Sequence, residues 1–351
     1  MRPRTPAVFS PGHRASATTR LRLTGQEFPP GHRASATTRL RRGGQKALAI
    51  LAIAGLALTG CGGTPTGTPT GSPSLAASPA SPAFPATAGG VTIAQKPQHI
   101  VSLSPTATEM LFAISAGGQV VAVDDQSNYP PEAPKSALSG FKPNAEAIAA
   151  KNPDLVVISD DTNQIKAALT QLKIPVYQAP AAKTLDDTYA QLRDLGTLTG
   201  HTPESATVVQ QVKDQLAGLV KAVPQRSKPL TYYYELDSTL FTATSKTFIG
   251  SLFSQVGLKN IADASDTKGG GYPQLSAESV IQANPDLIFL ADTVCCKQSL
   301  DTVKARPGWA GLTAVSKGQV VALNDDVASR WGPRVVDLVK SITEAVAKVP
   351  A

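Results

Sequence analysis

The sequence predicts an α/β protein: two similar α/β lobes with mainly parallel sheets, joined by a single long helix. Three observations predict it. One stretch of the chain is used twice. Strand and helix signals alternate on both sides of the middle. A long amphipathic run lies between the two halves.

The repeated stretch reads NAEAIAAKNPDLVVI at 144–158 and SAESVIQANPDLIFL at 276–290, a separation of 132 residues. Each copy predicts a short helix, an Asn-Pro-Asp break and a strand. Pro153 and Pro285 push the residue before them out of the helical region, so the helix stops there. The apolar runs that follow, 155–158 and 287–290, suit buried parallel strands. Each copy also sets a Glu, Glu146 or Glu278, in the first turn of its helix, where the helix dipole favours a carboxylate. That electrostatic role explains either Glu alone. The matched pair supports a further reading, in which two similar lobes each show one Glu to a two-sided partner.

In chain order, 99–103 is an apolar strand candidate. Ser104-Pro105 starts a helix, with Ser as cap and Pro at the first helical position; the helix runs through Glu109 and Phe112 to Gly117-Gly118. Residues 120–123 form the next strand. After the first repeat come a helix at 164–172 and a strand at 176–178. Thr202-Pro203-Glu204 then opens a run in which Val208, Val209, Val212, Leu216, Leu219, Val220 and Val223 recur at helical spacing until Pro224. At 1.5 Å per residue this is a rod of roughly 30 Å. It is a candidate connector; the other reading is one more layer helix on a single sheet. Beyond it, 231–236 and 240–243 are strand-like, a helix covers 248–256 with Gly257 as its cap, 320–323 is a late strand and 335–349 a final amphipathic helix.

The N-terminus reads differently. PGHRASATTRLR occurs at 11–22 and again at 30–41 without apolar periodicity. Arg39, Arg41, Arg42 and Lys46 precede an apolar run at 47–58, too short for a confident membrane span. The run ends in Leu58-Thr59-Gly60-Cys61, which resembles the lipobox of bacterial lipoproteins and implies cleavage before Cys61 and lipidation of it. Residues 62–90 are Thr, Pro, Gly, Ser and Ala, almost without charge or large apolar side chains, a composition that cannot bury enough surface to order itself. Such a tether spans roughly 30 Å. The expected organisation is therefore leader and signal peptide at 1–60, tether at 61–90, N-terminal lobe at 91–201, connecting helix at 202–224 and C-terminal lobe at 225–351. Residues 1–60 hold ten of the 33 Lys and Arg and one of the 26 Asp and Glu, so the processed chain carries 23 basic and 25 acidic side chains, a net of −2. The precursor's charge of +7 therefore gives no support to nucleic-acid binding.

Several chemistries lack their motifs. There is no Gly-x-x-x-x-Gly-Lys-Ser/Thr loop for ATP hydrolysis and no Gly-x-Ser-x-Gly elbow. Of the four His, His13 and His32 lie in the leader, and His99 and His201 are far apart in sequence, which argues against a His-rich metal site or a His-dependent triad.

Taken together, IVSLSPTATEML at 100–111, Tyr129-Pro130-Pro131, the repeat at 144–158, YPQLSAESVIQANPDLIFL at 272–290 and the stretch 330–338 resemble the periplasmic cobalamin- and siderophore-binding family, the receptors that feed ABC importers. The resemblance covers about residues 97–345. It implies two α/β lobes joined by one long helix with the ligand cleft between them. It implies that Glu146 and Glu278 form salt bridges with Arg on the two permease subunits. Tyr129, Phe141 (with a one-residue shift), Phe241 and Tyr272 fall at or near positions whose aromatics sandwich the ligand in the cobalamin receptors. Tyr272 stands where the cobalamin binder has Trp, and another pocket Trp is replaced around Asp160. Asp326 and Arg330 match a polar pair near the cleft, and Trp331 is an aromatic the cobalamin binder lacks there. Core packing is the alternative for Phe241. Glu109 reads better as a structural or helix-surface acid.

The function expected is that of a lipid-anchored, extracytoplasmic substrate-binding protein that captures a corrinoid for an ABC importer. Its partners would be a permease dimer with separate ATPase subunits, the small-molecule ligand, and the bacterial cell membrane through lipid on Cys61. The chain would be a monomer with no nucleic acid, no metal and no cofactor. One rival keeps the fold and takes a ferric siderophore or haem, with Arg330, Arg334 and Lys142 meeting an anionic chelate. Another is an extracellular enzyme using Asp160, Asp161, Asp325 or Asp326, and a third is a purely structural lipoprotein. Cys295-Cys296 admits either a vicinal disulfide or two free thiols in an oxidising compartment.

Overall fold

The structure, a computed structural model, describes residues 83–350. The leader, Cys61 and most of the expected tether lie outside the described residues.

The described chain opens with a hairpin of β1 (Ala86–Ala88) and β2 (Val91–Ile93), paired antiparallel through a Gly89-Gly90 turn with positive φ at both glycines. This corrects the end of the expected tether, which reached residue 90. Phe84, Ala88, Val91 and Ile93 supply apolar groups to the main core, and a Cβ at Gly89 would lie 2.3 Å from the Tyr177 ring. Only glycine fits that close, left-handed turn.

The N-terminal lobe is a five-stranded parallel sheet in the order β5-β4-β3-β6-β7. Its strands are β3 (Ile100–Leu103), β4 (Val120–Asp124), β5 (Lys135–Leu138), β6 (Leu155–Ile158) and β7 (Val176–Gln178). The helices are α1 (Pro105–Ala113), α2 (Ala145–Ala149), α3 (Ile165–Gln171) and α4 (Leu185–Thr199). Ser104 caps α1 by accepting from Ala107 N, with Pro105 in the first turn. Helix α4 was not anticipated. Its capping box is complete, with Thr184 accepting from Asp187 N and Asp187 from Thr184 N.

Helix α5 (Thr202–Lys221) carries the chain to the second sheet. It stops three residues short of Pro224. It packs on α4 at one side and on the last helix at the other, through Val209, Val212 and Leu216. Two separate sheets flank it, so the connector reading holds over that of a layer helix on one sheet.

The C-terminal lobe has strands β8 (Thr231–Glu235), β9 (Lys259–Asn260), β10 (Leu287–Leu290) and β11 (Val320–Ala322), all parallel in the order β11-β10-β8-β9. Its helices are α6 (Phe248–Gln255), α7 (Ala277–Ala283), α8 (Leu300–Lys304), α9 (Thr313–Ser316), α10 (Asp325–Ser329) and α11 (Val335–Lys348). Tyr232 stacks on Phe253 on one face of the sheet, while Tyr233 meets Trp309 edge-on from the other. The strand expected at 240–243 is reduced to one antiparallel bridge, Phe241 to Gln274.

Both repeats fold alike. Each gives a short helix (α2, α7), a left-handed Asn (Asn152 at φ 49, Asn284 at φ 44) and a strand (β6, β10) beside the first strand of its sheet. The Asp of each break pins that neighbour. Asp154 accepts from the backbone N–H of Gln98 (2.7 Å) and His99 (2.9 Å), just before β3. Asp286 accepts from Thr231 N at 2.8 Å, at the start of β8. One core cluster runs continuously from α1 and β3 through α4 and α5 to α6 and α11, so the lobes share an apolar spine. Among the described residues, no helix is long and apolar enough to cross a membrane.

Candidate functional site

In a parallel sheet every strand ends on the same edge, and the loops on that edge form the surface where open α/β sheets hold ligands. Here the two such edges are brought together. From the N-terminal lobe the loop after β4 supplies Gln126, Asn128 and Tyr129. From the C-terminal lobe the segment after β11 supplies Asp325, Asp326, Arg330 and Arg334.

These groups meet on Glu109 of α1. Arg330 Nη1 donates to Glu109 Oε1 at 2.8 Å and to Asn128 Oδ1 at 3.0 Å; Arg330 Nη2 donates to Gln126 O at 3.1 Å and to Asp326 Oδ1 at 2.7 Å. Arg334 adds Nε to Glu109 Oε2 at 2.9 Å and Nη2 to Oε1 at 2.5 Å. Asn128 Nδ2 completes the ring by donating to Asp326 Oδ2 at 2.7 Å. Glu109 and Arg330 are both buried. The hydrogen bonds to Glu109 hold the Arg334 guanidinium above its usual value. Burial pushes the nearby Asp124 carboxyl up, against the Ser127 hydroxyl that donates to it.

Two residues expected at the cleft, Arg330 and Trp331, have partners within the protein. Four acceptors take the Arg330 guanidinium. Trp331 is packed on the N-terminal lobe: its Nε1 donates to Gln191 at 2.9 Å and its carbonyl accepts from Thr188 at 2.9 Å. Asp326 joins the same bridge and stays partly exposed. Glu109 is the buried structural acid the sequence suggested. Of the other acids weighed, Asp160 and Asp161 are exposed, and Asp161 accepts from Lys166 N at 2.8 Å.

The four remaining aromatics stay exposed on strand-end loops: Tyr129 at 44%, Phe141 at 75%, Phe241 at 40% and Tyr272 at 55%. Tyr129 lies under the Arg334 guanidinium, 4.1 Å from its centre, beside a recess of about 250 Å³ lined by Glu109, Phe112, Pro130, Glu132 and Arg334. Phe241 and Tyr272 share a second recess of about 370 Å³ with Asp266, Lys268 and Gln274. Phe241 thus lies outside the core. Large exposed aromatics on facing loops suit a flat apolar ligand.

Glu146 and Glu278 occupy equivalent places. Each is exposed in the first turn of its helix, after caps Asn144 and Ser276. A helix returning to the next parallel strand starts at the edge where strands end, so each Glu sits on the rim of its own lobe. Its own backbone amide and Ser276 hold the Glu278 carboxyl below the usual range.

Deeper in the C-terminal lobe, Glu235 is fully buried and takes both arms of Arg306 at 2.6 Å each. Asp292 is buried beside it, and neither carboxylate oxygen has a partner among the described residues. Burial, then the Glu235 charge, pushes its pKa up to about 7. Sequence reasoning missed Asp292, Arg306 and Asn128, because nothing local marks which acid or base a fold will bury. The two Cys beyond Asp292 are joined as a vicinal disulfide.

The family model described as periplasmic binding protein matches residues 100–327. The chain is 28% identical over 312 residues to the uncharacterised ABC transporter substrate-binding lipoprotein YvrC of Bacillus subtilis, covering 85% of this chain and 95% of that one. It is 30% identical over 265 residues to the vitamin B12-binding protein of Pectobacterium atrosepticum, covering 72% and 90%. The crystal structure of the periplasmic vitamin B12 binding protein BtuF of Vibrio cholerae superposes with a TM-score of 0.60 at 27% identity, covering 72% and 97%.

Proposed function

The chain belongs to the periplasmic binding protein family, and on that footing we propose that it captures a corrinoid between its lobes and delivers it to an ABC importer. The observation that carries this reading is the set of four exposed aromatics, Tyr129 and Phe141 from one lobe and Phe241 and Tyr272 from the other, on loops at the facing strand ends. A corrin ring offers two broad apolar faces, and aromatic side chains cover such faces at low entropic cost. Relatives named for vitamin B12 binding support the choice of ligand.

Delivery is assigned to Glu146 and Glu278, one per lobe, meeting Arg on two permease subunits. Exposed charge pairs add little affinity but set orientation and association rate, which suits reversible docking. ATP hydrolysed by a separate subunit drives import. The lipobox-like Leu58-Thr59-Gly60-Cys61 would anchor the mature protein outside the cytoplasm.

The test is uptake of labelled cyanocobalamin by cells carrying the gene, by a deletion strain and by the deletion strain complemented with the Tyr129→Ala/Phe241→Ala/Tyr272→Ala variant. Uptake lost on deletion and restored only by the wild type is expected. Equal uptake in all three strains refutes the proposal. Uptake of a ferric siderophore or haem in the same pattern moves the ligand assignment to that chelate.

A further inference from the structure

The loop that leaves β10 lines neither of the two aromatic recesses. It carries Val294, Cys295 and Cys296, all exposed, and the two Cys are bonded to each other. In the order β11-β10-β8-β9 the chain leaves β8 toward one side of the sheet and β10 toward the other. The crevice between the loops after β8 and β10 is therefore the switch point of this sheet, the place where open parallel sheets hold ligands. Phe241 comes from the first of these loops and the disulfide from the second.

We propose that the Cys295–Cys296 disulfide and Val294 form an apolar rim that touches the ligand and helps determine which flat molecule the cleft holds. This rests on the reading of the interlobe cleft as the ligand site.

Hydrogen bonds turn the loop's polar groups inward. Asp325 Oδ1 accepts from Val294 N at 2.9 Å and from the Thr293 hydroxyl at 3.1 Å, and Asp325 Oδ2 accepts from Cys295 N at 2.8 Å. The Asp292 carbonyl accepts from Cys296 N at 3.2 Å and from Gln298 N at 3.3 Å. With these amides taken, the loop offers to solvent the Val294 side chain, 56% exposed, the two bonded Cys and, next to them, the exposed Lys297. Sulfur is polarisable and pairs well with π faces. A disulfide between neighbours closes a small ring through their shared peptide bond, so the rim is held in shape before a ligand arrives and costs little ordering on binding. The same short helix fixes the rim to the bridge between the lobes: Asp325 holds the loop, and Asp326 accepts from Asn128 of the other lobe.

The test uses full-length protein in detergent, titrated separately with cyanocobalamin, haemin and a ferric hydroxamate. Wild type is compared with Cys295→Ser/Cys296→Ser, which opens the ring, and with Val294→Asp, which charges an exposed position and leaves the ring closed. For the probe that wild type binds, both variants are expected to bind about tenfold more weakly and to change the order of preference among the three, with Tm moved by no more than a few degrees. If wild type binds a probe and both variants match it, the rim proposal is overturned and the cleft reading stands. If wild type binds none of the three, the cleft reading falls and takes this one with it. Alkylation of both Cys in native, unreduced protein would also overturn the proposal.

Discussion

The Arg330 guanidinium of the C-terminal lobe donates to the Glu109 carboxylate of the N-terminal lobe at 2.8 Å, and both groups are buried. Residues 221 positions apart thus close a charged contact at the back of the candidate cleft. Arg334 takes the other side of the same carboxylate. A buried ion pair is weak evidence for stability when intact, but removing one partner leaves an uncompensated charge.

Glu109→Gln should therefore destabilise the protein strongly. Loss of the carboxylate leaves Arg330 and Arg334 facing each other, at a cost of about 3–5 kcal/mol. Denaturant unfolding is expected to show a lower midpoint. An unchanged midpoint would mean that Asn128, Gln126 and Asp326 hold the bridge without Glu109.

The repeat makes a paired prediction. Asp154→Ala and Asp286→Ala each strip hydrogen bonds from the backbone before the first strand of a lobe. Each should cost about 1–3 kcal/mol. The Asp286 change should cost more, because its bonds are partly buried and those of Asp154 are exposed. Hydrogen exchange would show protection lost from β8 in one variant and from β3 in the other. Loss spread evenly over both lobes in either variant would contradict a local strand pin.

Asp292 predicts a pH dependence. Its folded pKa of about 7 lies above its unfolded value of about 4. The folded state therefore binds the proton more tightly, and stability falls as pH rises from about 4 to about 7. Glu235 and Asp325 raise this pKa, Arg306 lowers it, and Tyr233 packs nearby with its own hydroxyl pushed up by burial. Asp292→Asn should be more stable than wild type at pH 8, with the difference shrinking toward pH 4. A pH-independent difference between the two proteins would exclude Asp292 as the titrating group.

Glu146→Ala/Glu278→Ala should leave ligand binding and Tm near the wild-type values, since both side chains are exposed and only their helix first turns benefit from them. Uptake should fall by about tenfold or more if the docking role holds. Normal uptake by the double variant would remove these residues from docking.

Much of the architecture could be read from local chemistry. Pro153 and Pro285 end their helices, Ser104 and Pro105 start α1, and four-residue apolar runs became β6 and β10 because both faces of a parallel strand are buried. The exposed aromatics beside Pro and Gly were legible for the same reason, since turns lie at the surface. Helix α4 was missed although Thr184 and Asp187 signal its start. The strand expected at 240–243 failed because its apolar residues serve a single bridge and an exposed Phe241. The partners of Arg330 and Trp331 were not legible, because sequence position near a cleft does not say which way a side chain turns. Glu109, which takes Arg330, lies 221 residues away.

The most direct measurement is a calorimetric titration of the chain from residue 62 onward with cyanocobalamin, beside the Phe241→Ala/Tyr272→Ala variant. The prefix before Phe84 is retained because the hairpin that follows it belongs to the fold. The account predicts saturable one-to-one binding by the wild type and at least tenfold weaker binding by the variant. No heat with cyanocobalamin, or equal binding by both proteins, would contradict it.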